Sequence, residues 1–320
     1  MNSYNTGLAA AFLTTLSWSV GTFSFTKATR LMLPQHVNQS RLLFAFILLS
    51  ILTCLFTYID PVQLFTAPYL HNWIYLGLSG FIGLTLGDQL FFNTLKILGA
   101  RRGSLFQTFA PGSTLLFGYF ILGERINWLG LLGIAISIAG VMWLVLSKAE
   151  KDSVTSEGYG NITNGILCGI GFAICQGLGL VLASKGMTLP GETVPMNALH
   201  ATWIRMTLAV ITAFAFALIL KEKIVTVSDI KKSGSLIYLL AGTAYGPVIG
   251  VTLCLYASAR IEVSVAQTIF SLIPVVVLFI STLVLGRENI NRNMILGAII
   301  AILGVAILVW RDQLQQLMQF

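Results

Sequence analysis

Asp88, Arg41 and Arg205 each stand inside a long apolar run, where a charge needs a partner or a purpose. Asp88 comes fifteen residues after Trp73 and eight before Lys96. At about 1.5 Å per helical residue, that puts it roughly 12 Å from the basic end of its run. A carboxylate so deep in hydrocarbon costs about 3 kcal/mol on insertion scales unless it is paired, hydrated or protonated. Two roles fit: a proton-coupling site on a pathway, or a structural hydrogen bond to Gln89, Asn93 or a helix N-terminus. Arg41 and Arg205 lie one to three turns inside their runs. Long basic side chains in such places commonly snorkel to the interface. The functional reading is a fixed positive charge that holds an anionic group of a small molecule or pairs with Asp88.

A set of neutral polar and aromatic residues could line a cavity beside these charges. Trp18, Ser19 and Thr22 fall in the first apolar run, and Gln176 takes the matching place in the sixth. Gln89 and Asn93 flank Asp88, Gln107 and Gln267 open the fourth and ninth runs, and Tyr245 and Tyr256 sit in the eighth. With Asp88 and Arg205 these are the candidate substrate-binding residues. Interhelical amide hydrogen bonds explain the glutamines equally well, and an interfacial belt explains the tyrosines. His200, five residues before Arg205, reads as a polar cap, and Lys27 and Lys185 as helix-dipole partners. Glu124 and Glu288 read as charged turns, with gating as the alternative.

Enzyme chemistry has no footing. There is no phosphate-binding glycine loop, no metal-ligand spacing among His36, His71 and His200, and no nucleophile triad. Cys54, Cys168, Cys175 and Cys254 all fall in apolar runs, as buried thiols do. Neither a cofactor nor a metal is expected.

The medium that holds these residues is lipid. The chain is 56% hydrophobic and 10% charged with mean hydropathy +0.85, whereas soluble domains are about 25% charged. Net charge +7 could suggest nucleic acid, but the Lys and Arg residues fall mostly in short gaps between apolar runs, so they read as topology signals and headgroup contacts. Runs long enough for a bilayer core of about 30 Å lie near 7–26, 36–58, 72–95, 103–122 and 127–147, then near 162–184, 197–220, 235–257, 263–285 and 293–311. Ten transmembrane helices are expected, the first kept as a mature helix because it lacks a basic leader. A polar stretch, 148–160, links a first unit of 1–147 to a second of 161–320.

The two units repeat one another. Ser104, Gln107, Thr108 and Pro111 return as Ser264, Gln267, Thr268 and Pro274, and Gly123-Glu124 returns around Gly286-Arg287-Glu288. At a fixed offset of 164 residues, Gly133 pairs with Gly297 and Gly140 with Gly304. Weaker echoes match Gly21 with Gly179, Arg41 with Arg205, and Gly87-Asp88 with Gly246-Pro247. Five spans per unit is an odd number, so the second copy enters the membrane from the opposite side: two inverted five-helix repeats. Such repeats suit a secondary transporter working by alternating access, with paired breakers (Gly87, Gly246-Pro247, Pro111, Pro274) near a central site. Gly133 and Gly140 share a helix face and predict close packing of the fifth span on the tenth or on a second subunit.

Trp18, Arg41, the run Gly87-Asp88-Gln89-Leu90-Phe91-Phe92, and Pro111 followed by Leu122-Gly123-Glu124, Gly133 and Gly140 resemble the EamA-type branch of the drug/metabolite transporter superfamily. Arg287 interrupts the second copy of the Leu-Gly-Glu pattern. The resemblance implies an exporter or exchanger of small organic metabolites or drugs, working without ATP. Members handle amino acids, purines, sugar phosphates or drugs. The expected setting is a bacterial inner membrane, with a small-molecule substrate, lipid, H+ and a second copy of the chain as partners. From another class, the alternative is a non-transporting membrane scaffold or lipid-carrier accessory protein.

Orientation sets two expectations against each other. Loops after odd-numbered spans carry thirteen Lys and Arg against four on the other side, with Arg41 and Arg205 inside spans. The positive-inside rule then places both termini outside, while the resemblance implies cytoplasmic termini. Reporter fusions at Phe320 separate the two.

Overall fold

The computed structural model describes residues 3–91, 93–94, 97, 106–147, 161–283 and 292–317. Its longer helices, in chain order, are α1 (Ser3–Leu31), α2 (Pro34–Thr57), α3 (Leu70–Phe91), α4 (106–122), α5 (Trp128–Ser147), α6 (Ile162–Met187), α7 (Ala198–Ile219), α8 (Leu236–Ser258), α9 (Val263–Phe270 and Ile273–Leu283) and α10 (Arg292–Val309). Among the described residues, nine of these are long and apolar enough to cross a membrane. The other is α4, which is described from Phe106 onward; the start of the expected fourth span at 103–105, the expected linker 148–160 and the expected turn at Glu288 lie outside the described residues.

The helices form because backbone polar groups in hydrocarbon must be satisfied within the segment itself, and the outer surface is lipid-like. Phe12, Ile51, Leu55, Leu167 and Ile211 stand exposed on the outer faces, a surface that water would not tolerate but hydrocarbon would. Exposed Tyr58, Tyr69, Trp128 and Trp310 lie at or just beyond helix ends, where amphipathic rings suit a headgroup layer. The chain is a multi-pass integral membrane protein.

The predicted breakers mark real departures from α geometry. Gly80–Gly87 of α3 and Ala244–Gly250 of α8, which contains Pro247, are π-helical, and α4 ends in a π-helical turn at Gly118–Leu122. Such turns widen the helix and free carbonyls from their usual partners. Pro111 opens the α-helical part of α4, and Pro274 sits in the first turn after the break in α9. A residue without an N–H loses nothing at a helix start.

Packing pairs the two halves of the chain reciprocally. α1 lies against α8 and α9, whereas α6 lies against α3 and α4; α2 meets α7, and α4 meets α9. α5 and α10 form the most extensive pair. Their glycines bring backbone onto backbone, so a methyl added to Gly133 would sit 2.7 Å from the Leu308 nitrogen, and one on Gly297 would sit 2.6 Å from that of Leu144. The glycine face of α5, expected to pack on the tenth span or on a second subunit, packs on α10.

Candidate functional site

The three intramembrane charges meet around the π-helical stretch of α3. Arg41 does not snorkel: its guanidinium forms an ion pair with Asp88, the two side chains being 16% and 13% exposed. Arg41 Nε also donates to Asn38 Oδ1 at 2.8 Å, one turn earlier on α2, and the guanidinium lies 5.7 Å from the centre of the Phe25 ring. The other Asp88 oxygen accepts from Gln176 Nε2 of α6 at 3.5 Å, and the same Nε2 donates to the Gly83 carbonyl at 3.2 Å. Gly83 in turn leads to Arg205, because a methyl there would fall 2.8 Å from Arg205 Nη2. Asp88, Gln176 and Arg205, picked out from sequence, therefore stand together with Arg41, which enters as the partner of Asp88.

Trp18 and Gln176, matched in the repeat, do matching jobs. Trp18 Nε1 donates to the Gly246 carbonyl at 3.2 Å, and Ser17 Oγ to the Tyr245 carbonyl at 2.5 Å. Each side chain satisfies a carbonyl in the π-helical stretch of the helix it packs on, which lies in the other half of the chain. Buried carbonyls left without donors are costly, so hydrogen bonding accounts for part of what looked like a cavity lining. The Trp18 ring also meets Phe270 edge to face at 5.2 Å.

The remaining candidates are more scattered. Ser19 and Thr22 donate to carbonyls one turn back on α1, Ser19 fully buried and Thr22 exposed. Gln89 lines a cleft of ≈ 40 Å³ with Asn38, Gln39 and Thr85. Asn93, Gln107 and Gln267 are half-buried. Tyr245 is exposed on the outer face, and Tyr256 carries the Arg260 guanidinium over its ring at 3.5 Å. His200 is buried and bonds the Leu64 carbonyl at 3.0 Å, tying α7 to the loop before α3.

Glu124 is more than a charged turn. Gly123 takes a left-handed conformation (φ 72°), and the Glu124 amide returns to the Gly118 carbonyl at 3.1 Å, closing the end of α4. The carboxylate then accepts from the Val263 amide at 2.5 Å and from the Ser264 amide and hydroxyl at 3.4 and 2.9 Å. It caps the N-terminus of α9, where a negative charge is favoured. Nearby, Arg311 pairs with Glu262. A partner 139 residues away leaves no mark in local sequence.

A polar, charge-bearing interface between the halves of an all-helical membrane protein is the architecture of a carrier. The family comparison agrees: the model of the EamA-like transporter family matches residues 5–146 and 163–310. The chain belongs to that family, within the drug/metabolite transporter superfamily, and is a membrane transporter, not an enzyme. This sets aside the scaffold alternative. A search of curated proteins returned no match. A solved structure described only as a crystal structure of a protein is similar, with TM-score 0.71 and 19% identity over 95% of this chain and 96% of that one. At that identity the likeness concerns the fold.

Proposed function

We propose that the protein is a secondary active transporter in a bacterial inner membrane, moving a small organic metabolite or drug as an exporter or exchanger. In this reading ten spans form two inverted five-helix repeats, 1–147 and 161–320, which rock about a site between α1–α4 and α6–α9. The observation that carries it is the polar cluster of Arg41, Asp88, Gln176 and Arg205 at the contact of the two halves, beside a π-helical stretch. The reciprocal packing of α1 on α8 and α6 on α3 supports the repeat. A homodimer on the outward faces of α5 and α10, where Trp143 and Leu303 stand exposed, belongs to the same reading.

Proton coupling through Asp88 is part of the proposal. Taking up a proton removes the negative half of the pair and frees Arg41, so the state of the pair links the membrane interior to pH. Counterflow in proteoliposomes loaded with amino acids, nucleobases, sugar phosphates or cationic drugs tests transport. The Asp88→Asn variant is expected to exchange substrate without the parent's dependence on pH. An unchanged pH profile removes the coupling role.

A further inference from the structure

Arg205 is 4% exposed, eight residues into α7, and carries a charge that the chain does not answer. Among the described residues no carboxylate lies within 4.0 Å of it, and it donates no hydrogen bond to any of them. Its Nε is buried and unpartnered. Its guanidinium lies against Gly83 of α3. A methyl on Gly83 would sit 2.8 Å from the Arg205 Nη2, while Gly80 and Gly179 admit close backbone packing: a methyl on Gly80 would meet the Arg205 carbonyl oxygen, and one on Gly179 would lie 3.0 Å from the Gly83 Cα. Cys254 of α8 lies in its neighbourhood.

A buried guanidinium without a carboxylate of its own costs several kcal/mol, and a side chain kept there against that cost calls for a counter-charge from outside the chain. The matching residue, Arg41, shows the alternative, since it has Asp88. The second half has Pro247 where the first has Asp88, so its carboxylate is missing. A planar guanidinium pairs with a carboxylate through two parallel hydrogen bonds. One positive charge balances one negative charge, which favours a monoanion over a doubly charged phosphate in a medium that penalises any net charge.

We propose that Arg205 is the anchor for the carboxylate of the transported solute, so that the substrate class is small organic molecules bearing a single carboxylate. This rests on the transporter reading. The probes are benzoate, benzamide and benzylammonium, which share a ring and differ in charge, with propionate, propionamide and propylammonium as a smaller set and inorganic phosphate as the dianion. Melting of the purified full-length protein is followed in detergent at matched ionic strength. Benzoate or propionate is expected to raise Tm while the amides, amines and phosphate do not. Arg205→Gln is expected to weaken the response about ten- to hundredfold. Cys254→Asp puts a carboxylate in the neighbourhood of Arg205, so it is expected to abolish the response while raising the ligand-free Tm, and it serves if the first variant folds poorly.

The proposal is overturned if neither carboxylate shifts the parent, if amide, amine or phosphate does so equally, or if Arg205→Gln keeps the full shift. Counterflow of the same solutes separates the two readings. Exchange of neutral or cationic solutes without any carboxylate response ends the role of Arg205 and leaves transport standing. Carboxylate binding through Arg205 with no exchange of any solute keeps the site and ends the transport reading.

Discussion

Arg41 and Arg205 hold matching places in the two halves of the chain and live under opposite conditions. The first is locked to Asp88 and steadied by Asn38, while the second lies against bare glycine backbone with its Nε unmet. Where the first half has Asp88, the matching position in the second holds Pro247. In the proposed repeat the two halves thus split the work of a charge: one is spent inside the protein and the other is kept open.

The contrast can be broken from the paired side first. Asp88→Ala strands the Arg41 charge and is expected to lower stability by about 3–5 kcal/mol, read as a fall in Tm in detergent; Arg41→Leu combined with Asp88→Ala recovers part of the loss. From the unpaired side the sign reverses. Arg205→Met removes a charge that has no partner, so it is expected to raise ligand-free stability by about 1–3 kcal/mol, checked by the same melt without solute. A fall as large as that of Asp88→Ala would mean Arg205 is satisfied internally and would erase the contrast.

The smallest effect comes from an ion pair that water reaches. In the loop between α7 and α8, Asp229 accepts from the Thr226 hydroxyl and amide and pairs with Lys223 at 3.2 Å. The Thr226 hydrogen bonds, more than Lys223, hold its carboxyl down to about 2. The folded value is below the ordinary carboxylate range, so its contribution is whole above about pH 4 and fades as pH falls through the folded value. A carboxyl carbon titration is expected to show the low midpoint, with Thr226→Ala moving it upward more than Lys223→Ala does.

Sequence carried some of these features and hid others for physical reasons. The glycines of α5 and α10 were legible because helix packing leaves a periodic trace: Gly133, Gly140, Gly297 and Gly304 recur at one spacing. Gly87 and Gly246-Pro247 told where α3 and α8 depart from regular winding, but not that the departure is π-helical. The Arg41–Asp88 pair appeared only as one option among several, since its partners are 47 residues apart and nothing local selects between snorkelling and pairing. Trp18 and Gln176 were read as cavity lining because their polar atoms were visible and the carbonyls they serve were not. The cap that Glu124 places on α9 was missed altogether, because it depends on how two distant helices end and begin side by side.

A π-helical turn contains one residue more than an α-helical turn, so Gly80–Gly87 sets the azimuth of everything that follows it in α3. Ordinary α winding of the same residues, with none removed, would turn Asp88 away from its present direction and so away from Arg41, without altering any titratable group. The pairing of Arg41 with Asp88 is therefore a matter of winding as well as of chemistry.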